Sequence, residues 1–295
     1  MNRLSRREFV RLGAAGAIAA PFVLDRAPTG AAALTAQEIV DRIRKSVGVE
    51  WKTATVDTFK AGDPSTLVTG IVTTSLATID VMRRAVKAGA NMVITGGPTF
   101  YSRADSASPP SSDPVFAAKN ELIKANNLVV WRFSDHWRLR TPDPFAQGVI
   151  DALGWAKYRT SDDPARVTIP PLTLEALAAD VKTKLGARGG MRIVGSPRAG
   201  VQKIGVLPGS VPIQATLKLL PQVDAIVAGE IREWESSEYA RDTVTAGIDK
   251  ALILVGRALS EDPAMKVCAD WLKTIAPEAP CRWMPIGDPY WRPAA

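Results

Sequence analysis

The stretch Asn91-Met-Val-Ile-Thr-Gly-Gly-Pro-Thr-Phe-Tyr101 carries the pattern from which the fold can be predicted. Residues 92–94 form a short apolar run between turn residues, which is typical of a buried strand, and the helix before this run ends at Gly89. The predicted strand ends at Gly96 and Gly97, where no side chain covers the backbone. In an open α/β sheet, ligands bind in the crevice beyond the carboxyl ends of the strands. This turn is therefore either a plain tight turn or part of a ligand site.

Strands and helices alternate along the rest of the chain, in two halves. Residues 161–171 separate the halves and are rich in Asp, Pro and Thr, a composition that is typical of a linker. This alternation predicts an α/β fold with two α/β domains, residues 34–160 and 161–295. Each domain is expected to be a mixed sheet flanked by helices.

The positive charge of the chain is mild. Its 295 residues are 46% hydrophobic and carry a formal net charge of +7. Five arginines against Glu8 and Asp25 give residues 1–33 a local charge of +3, which leaves +4 for the remainder. A charge this weak and dispersed argues against nucleic acid as a partner, and no apolar run is long enough for an internal membrane span.

The N-terminal residues 1–33 resemble an export signal. Ser5-Arg6-Arg7-Glu8-Phe9-Val10 contains the paired arginines of a twin-arginine signal, and a mildly apolar run follows at residues 12–20. Small residues suited to cleavage stand at 31–33. The alternative is a basic N-terminal helix, which this combination makes the weaker interpretation. We therefore expect a bacterial protein that the twin-arginine machinery exports to the periplasm.

The cysteines and the histidine narrow the possible sites. Cys268 and Cys281 lie outside any Cys-x-x-Cys spacing, which excludes zinc ribbons and thioredoxin-like chemistry. They either pair as a disulfide in an oxidising compartment or remain buried thiols. His136 is the only histidine of the chain, so every site built on several imidazoles is excluded.

Several predicted strands end in residues that are unusual for plain turns. If these strands are parallel, their carboxyl ends converge in one region, where carboxylates serve as metal ligands or as acid–base pairs. Each residue also has a structural alternative: Glu230 caps the following helix, or Asp135 pairs with Arg132 or Arg138. The side chains that convergence would bring together are Asp135, His136, Glu230, Arg257 and Glu261.

Pro208-Gly209-Ser210 lies between a predicted strand and a predicted helix. Backbone N–H groups at such a junction can receive an anion. The alternative is that Gly209 and Ser210 simply cap the helix. Both interpretations stay open at the level of the sequence.

Short motifs spread over residues 35–275 make the chain similar to one family. The motifs are Asp57-Thr-Phe-Lys-Ala-Gly-Asp63, Val68-Thr-Gly-Ile-Val-Thr-Thr74, Gly89-Ala-Asn-Met-Val-Ile-Thr95, Pro98-Thr-Phe-Tyr101, Arg132-Phe-Ser-Asp-His-Trp137, Val227-Ala-Gly-Glu230 and Gly256-Arg-Ala-Leu-Ser-Glu261. Together they resemble the Nif-three-like dinuclear-metal-centre family, also described as type 2 homologues of GTP cyclohydrolase I. The resemblance implies two α/β domains, a homo-oligomer that is often a hexameric ring, and two metal ions between the domains.

The metal ligands implied by the resemblance are mostly missing. The family's paired histidines fall on Gly96 and Gly97, and a third histidine falls on Arg257, a cation that repels metal. Asp135 and Glu261 match the remaining ligand positions, so two of the five implied ligands are present. An arginine paired with Asp135 or Glu261 would satisfy these carboxylates in a pocket without metal.

Two functions follow from this interpretation. The first is a divergent relative that binds a small molecule or anion in the cleft between the domains, with Arg257 as anchor beside Gly96 and Gly97. The alternative is a metal-dependent hydrolase in which Asp135 and Glu261 hold a divalent metal, with Glu230 or His136 near a water. The missing imidazoles favour the first function, because two carboxylates alone rarely hold a transition metal tightly.

Overall fold

The computed structural model describes residues 33–102, 105, 112–187 and 190–290. The signal peptide predicted for residues 1–33 lies outside these ranges except for its last residue. Within the described ranges, no helix combines the length and the apolar character needed to cross a membrane. The helices are α1 (Ala36–Ser46), α2 (Ile79–Lys87), α3 (Pro114–Ala125), α4 (Asp135–Arg138), α5 (Pro144–Ala152), α6 (Leu174–Leu185), α7 (Ile213–Leu219), α8 (Glu238–Thr245) and α9 (Arg257–Ile275). The strands are β1 (Phe59–Ala61), β2 (Ile71–Thr74), β3 (Met92–Thr95), β4 (Val129–Arg132), β5 (Arg166–Thr173), β6 (Arg192–Val194), β7 (Gly200–Ser210), β8 (Ala225–Glu230), β9 (Ala251–Leu254) and β10 (Cys281–Trp283).

Local sequence signals set the ends of several helices. Thr35 and Glu38 form a capping box at the start of α1, in which Glu38 Oε2 accepts the backbone N–H of Thr35 at 2.7 Å. Asp113 caps α3, and Pro114 is its first helical residue. Proline suits this position because the backbone N–H of a first helical residue has no partner within the helix. Gly186 ends α6 in the left-handed conformation that favours glycine.

Two five-stranded mixed sheets form the centre of the described structure. The first has the order β1-β4-β3-β2-β10, with β1 antiparallel to β4 and the other neighbours parallel. The second has the order β5-β7-β8-β9-β6, with β7, β8 and β9 parallel and the two edge strands antiparallel. Helices cover both faces of each sheet. The α/β fold with mixed sheets predicted from the sequence is confirmed.

The chain returns to the first sheet after it has completed the second. Strands β1–β4 precede the predicted domain boundary at residue 160, and strands β5–β9 follow it. β10 then lies at the edge of the first sheet, parallel to β2, with Cys281 opposite Ile71. The C-terminal part of the predicted second domain therefore completes the first sheet.

The central strands are buried on both faces. In β3, Met92 and Ile94 belong to the core beneath α1 and α9, whereas Val93 belongs to the core beneath α2 and α3. In β8, Val227 and Ile226 divide in the same way between the two cores of the second sheet. Successive side chains of a strand point to opposite faces, so a strand covered on both sides requires a continuous apolar run.

Helix α9 bridges the two sheets. It contacts β2 and β10 of the first sheet and β7 and β8 of the second, and it packs against α5. At Gly148 of α5, a Cβ atom would come within 2.6 Å of the backbone of Pro263 and Ala264 in α9. Because glycine has no Cβ, the two helix backbones can approach this closely. The packing brings the first turn of α9 next to strand ends of both sheets.

The predicted linker at residues 161–171 is wrong in its second half, which belongs to β5. Pro170 and Pro171 suggested a loop. β5 is an edge strand, however, and its pairing with β7 is interrupted between Thr168 and Leu172, where the two prolines lie. A strand in this position can accept proline because the missing N–H groups have no ladder partner to lose.

Cys268 and Cys281 are both free thiols. Cys268 is fully buried in α9, and Cys281 lies in β10. Burial raises the pKa of the Cys281 thiol to about 12 and that of Cys268 well above its ordinary value. Thiols with such pKa values are poor nucleophiles. Of the two alternatives left open by the sequence, the structure contains the free thiols.

Candidate functional site

Gly96 and Gly97 follow β3 and lie against neighbouring protein atoms. A Cβ atom on Gly96 would lie 3.0 Å from Met265 Sδ. A Cβ atom on Gly97 would lie 2.6 Å from Leu76 Cδ2 and 2.9 Å from the Ser75 carbonyl oxygen. Even a methyl group at residue 97 therefore requires its neighbours to move. The geometry does not support the expectation that these glycines form the open floor of a ligand site.

His136 is fully buried at the start of α4. Its Nδ1 lies 2.8 Å from Asp57 Oδ2, and its Nε2 accepts the backbone N–H of Lys52 at 2.9 Å. Because Nε2 acts as an acceptor, the ring proton is on Nδ1 and is donated to Asp57. The ring also stacks on Trp51, with centroids 3.7 Å apart. With both nitrogens engaged and no exposure to solvent, His136 has no free nitrogen for a water, so the geometry does not support the place beside a catalytic water that the hydrolase alternative gives it.

Asp57 organises this part of the structure. Its carboxylate is fully buried and accepts the backbone N–H groups of Ser134, Asp135 and His136 at 2.7–3.0 Å. A buried carboxylate is tolerated when its oxygens are satisfied in this way. Asp57 stands in one of the family-like motifs, but the sequence does not indicate which distant backbone groups it binds. We call Gly96, Gly97, Asp57 and His136 the closed strand end.

Asp135 and Glu261, the two predicted metal ligands, are held by different partners. Asp135 is exposed, and its Oδ2 accepts the Thr55 hydroxyl at 2.8 Å and the Val56 backbone N–H at 3.1 Å. Glu261 is nearly buried and is bound by arginines. Asp135 therefore anchors the segment before β1.

Arg257 and Arg138 hold the Glu261 carboxylate between them. Arg257 Nε donates to Glu261 Oε2 at 3.0 Å, and Arg138 Nη2 donates to Oε1 at 3.4 Å. Burial opposes the charge of Arg257, but Glu261 and Glu230 outweigh it and raise the pKa of Arg257 above its ordinary value. Of the two pairings expected for Arg257, the structure contains the one with Glu261.

Glu230 ends β8 on the other side of Arg257. Its Oε1 lies 3.7 Å from Arg257 Nη1, beyond hydrogen-bonding distance, and its side chain is 49% exposed. The Arg257 side chain is 40% exposed. A loose contact between two half-exposed groups leaves both available to a ligand.

Gly209 and Ser210 are the last two residues of β7, and α7 begins three residues after Ser210, at Ile213. The Gly209 N–H donates to Ser260 Oγ at 2.9 Å, so it is not free to receive an anion. Gly209 has a φ of +82°, and a Cβ atom there would lie 2.6 Å from Glu261 Oε1. Ser210 pairs with Glu230 across the sheet. The geometry makes Gly209 a point of close approach to Glu261 and does not support an anion site at the predicted junction.

A cavity of about 610 Å³ opens between the two sheets at the first turn of α9; we call it the α9 cavity. Arg257, Glu230 and Glu261 line it, and they are the predicted site residues that the structure does bring together. Its walls are otherwise largely apolar. They include Leu76, Met191, Leu254, Val255, Leu259, Ile286, Pro289 and Tyr290.

Asp262 of α9 hydrogen-bonds to two other segments that line the α9 cavity. Its Oδ1 accepts the Ser75 hydroxyl at 2.5 Å, and its Oδ2 accepts the backbone N–H of Ile286 at 2.9 Å. Burial raises the pKa of Asp262, while the hydrogen bond from Ser75 works against that shift. Sequence reasoning missed this residue, because its partners Ser75 and Ile286 lie in other segments of the chain.

The residues at the metal position that the resemblance implies do not fit a dinuclear centre. Gly96 and Gly97 have no side-chain atom that could bind a metal ion. The guanidinium of Arg257 has only hydrogen-bond donors and no lone pair to offer a cation. Glu261 is bound by two guanidinium groups, which would have to leave before it could bind a cation. In the part of the chain that the structure describes, no group of three or more His, Cys, Asp or Glu side chains is arranged to hold a metal ion.

The protein is of the α/β class. It has two mixed sheets flanked by helices, and one helix bridges the sheets beside the α9 cavity. The sequence matches the model of the Duf34/NIF3 (NGG1p interacting factor 3) family over residues 34–281. The chain therefore belongs to this family. No curated protein matches the sequence.

Solved structures of similar fold cover nearly the whole described chain. Staphylococcus aureus protein SA1388 matches with a TM-score of 0.69 and 15% identity, over 88% of this chain and 99% of that chain. A Bacillus cereus protein related to NIF3 matches with a TM-score of 0.69 and 12% identity, over 89% and 100%. The protein TTHA1606 from Thermus thermophilus matches with a TM-score of 0.61 and 14% identity, over 87% and 99%. At these identities the likeness establishes the fold alone.

Proposed function

We propose that this NIF3-family chain binds a small anionic molecule in the α9 cavity, with Arg257 as the anchor, and that it does so without a dinuclear metal centre. The observation that carries the proposal is the position of Arg257. It stands where the resemblance implies a metal-binding histidine, and its half-exposed guanidinium lines the cavity. A fixed guanidinium can supply the positive charge that metal ions would otherwise bring to this place.

The start of α9 adds to the positive character of this wall. Its N-cap residue is Gly256, which brings no side chain to cap the first turn. The first helical hydrogen bond runs from Ser260 N to the Gly256 carbonyl oxygen. The N–H groups of Arg257, Ala258 and Leu259 therefore have no acceptor within the helix, and these three residues line the cavity. Helix N-termini of this kind favour anions through their N–H groups and through the helix dipole.

Calorimetric titration with benzoate at low ionic strength tests the proposal. We expect measurable binding to the wild-type chain and a loss of about tenfold or more in affinity for Arg257→Gln, since a charge-assisted hydrogen bond contributes about 1.5–3 kcal/mol. Arg232→Gln is the matched control, because Arg232 is exposed and lies outside the cavity lining. Equal affinity of wild type and Arg257→Gln would contradict the proposal.

Export is a second part of the proposal. The twin-arginine pattern at Arg6 and Arg7 supports delivery to the periplasm by the twin-arginine machinery. Replacing both residues by lysine should retain the chain in the cytoplasm, as cell fractionation would show. Equal amounts of wild type and variant in the periplasm would overturn this part.

Assembly is a third part. Membership of the family supports a homo-oligomer, and the resemblance described above points to a hexameric ring. Light scattering of the purified chain measures the mass directly. A monomer of 31.6 kDa or less, at all concentrations tested, would remove this part of the proposal.

A further inference from the structure

The α9 cavity presents one positive and one negative side chain next to each other. Arg257 Nη1 and Glu230 Oε1 are 3.7 Å apart, and both side chains are half exposed on the cavity wall. The contact between them is too long for a hydrogen bond and is weakened by solvent. A ligand with two opposite charges could therefore replace this weak contact with two charged hydrogen bonds, one to Arg257 and one to Glu230.

The other charges of the cavity restrict the ligand further. The Glu261 carboxylate is already neutralised by Arg257 and Arg138. The Glu230 carboxylate adds negative charge to the lining, and Arg192, which also lines the cavity, is paired with Glu233. A ligand with several negative charges, such as a nucleoside triphosphate, would meet repulsion from these carboxylates. A ligand with a single negative group and no net charge would not.

The apolar walls determine what the rest of the ligand must be. Leu76 and Ile286 come from the side of the first sheet, and Leu254 and Val255 come from the end of β9 in the second. Tyr290, which is 73% exposed, adds an aromatic ring to the same lining. A volume of about 610 Å³ is in the range of small-molecule sites with apolar walls and few polar groups.

We propose that the ligand is an amphipathic zwitterion, namely a free α-amino acid with a large apolar side chain. Its carboxylate binds the Nη groups of Arg257 and the N–H groups of the first turn of α9. Its ammonium group binds the Glu230 carboxylate. Its side chain lies against Leu76, Leu254 and Ile286. The two charged groups of an α-amino acid are attached to one carbon, so they match a pair of opposite charges held this close together. This inference rests on the proposed function and specifies its ligand class.

Titration with three probes of one size tests the inference on the wild-type chain. L-phenylalanine carries both charges, 3-phenylpropionate only the negative one and 2-phenylethylamine only the positive one. We expect L-phenylalanine to bind at least tenfold more tightly than either of the others, because each lost charged hydrogen bond costs about 1.5–3 kcal/mol and tenfold corresponds to about 1.4. We expect GTP to bind more weakly than L-phenylalanine.

Variants separate this inference from the proposed function. Glu230→Gln should weaken L-phenylalanine about tenfold without weakening 3-phenylpropionate, whereas Arg257→Gln should weaken both. Glu238→Gln, at an exposed ion pair outside the cavity lining, is the control. If 3-phenylpropionate binds as tightly as L-phenylalanine, or if GTP binds more tightly, the inference of a zwitterionic ligand is wrong. The proposed anion site in the α9 cavity is then still supported. If neither L-phenylalanine nor 3-phenylpropionate nor GTP binds, or if 2-phenylethylamine alone does, both the zwitterion inference and the anion site are wrong.

Discussion

The closed strand end and the α9 cavity both include residues that follow parallel strands, yet the two regions differ in which polar groups remain accessible. At the closed strand end, His136 and Asp57 are fully buried and bonded to one another and to backbone N–H groups. Gly97 has no room even for a methyl group. In the α9 cavity, Arg257 and Glu230 are half exposed, and only a loose contact joins them. Asp57 and His136 are therefore fully hydrogen-bonded within the protein, whereas Arg257 and Glu230 are accessible to a ligand.

This difference is what the proposed function rests on: the chain has the architecture of the family, and the accessible polar groups lie in the α9 cavity. The two mixed sheets and the helices that flank them belong to the fold. At Gly96 and Gly97, where the resemblance implies histidines, the side chains of Met265 and Leu76 occupy the space that a larger side chain would need. Functional hypotheses for this chain therefore belong to the cavity, where polar groups are still available.

The largest effect is expected for Asp57→Asn at the closed strand end. An amide would place a donor among N–H groups that need an acceptor, and His136 would lose its partner. Breaking a buried charged network of this kind should lower the free energy of unfolding by about 4 kcal/mol. Asp80→Asn, at an exposed helix pair, should cost less than about 1 kcal/mol. Urea unfolding measures both, and equal effects would show that the strand end is not closed as described.

Gly97→Ala should have the next largest effect. The new methyl group would contact Leu76 and the Ser75 carbonyl oxygen, and a backbone atom cannot rotate away. Overpacking of this kind costs about 3 kcal/mol at its upper end. Gly200→Ala is the control, because a Cβ atom there meets no atom within 4 Å. A Gly97→Ala variant as stable as Gly200→Ala would mean that residue 97 has space for a ligand or a ligating side chain.

Lys119 allows a test by pH in the region beside the closed strand end. Its amine is buried and donates to the Thr99 carbonyl oxygen, and burial lowers its pKa from 10.5 to about 8. Below about pH 8 the amine is charged in both states. Between about pH 8 and 10 the unfolded chain keeps the proton and the folded chain does not, so folding becomes more favourable as pH rises.

Over that range, wild type should therefore gain about 2 kcal/mol relative to Lys119→Met, because one pKa unit corresponds to about 1.4 kcal/mol. Lys124→Met, at an exposed lysine of the same helix, should show no such trend. Denaturant unfolding at several pH values measures the difference. If the gap between wild type and Lys119→Met did not change with pH, the buried-amine description would be wrong.

The smallest effect is expected in the α9 cavity. Arg257→Gln should lower the free energy of unfolding by about 1 kcal/mol, because the side chain is partly exposed and Arg138 still holds Glu261. In a double-mutant cycle with Glu261→Gln, the two losses should not add. Strict additivity would mean that the ion pair between Arg257 and Glu261 is not formed in solution.

The architecture could be predicted because its signals are local. The apolar run before Gly96 is the sequence of a strand covered on both faces, and Thr35 with Glu38 marks a helix start by itself. The start of α9 has no such local signal, because the helix begins at Arg257 and contains Pro263, a residue that is usual only in a first turn. Its packing between the two sheets outweighs the hydrogen bond that Pro263 cannot donate.

The candidate site could be predicted in part. Arg257, Glu230 and Glu261 do meet, because they follow or face neighbouring parallel strands. The roles of His136 and Asp57 could not be predicted, since they depend on a contact between segments far apart in the chain. Whether a strand-end residue faces a cavity or a neighbouring side chain is decided by tertiary packing, which leaves no periodic signal in the sequence.

The central claim is that this NIF3-family chain keeps the fold and lacks the dinuclear metal centre. Elemental analysis by mass spectrometry tests it most directly, on chain purified from its native compartment without chelator and again after soaking with Zn²⁺, Mn²⁺ and Fe²⁺. We expect clearly less than one equivalent of transition metal per chain, because the arginines that bind Glu261 and the glycines at 96 and 97 leave no ligand set. About two equivalents per chain, as a dinuclear centre would hold, lost in an Asp135→Ala variant, would contradict the account.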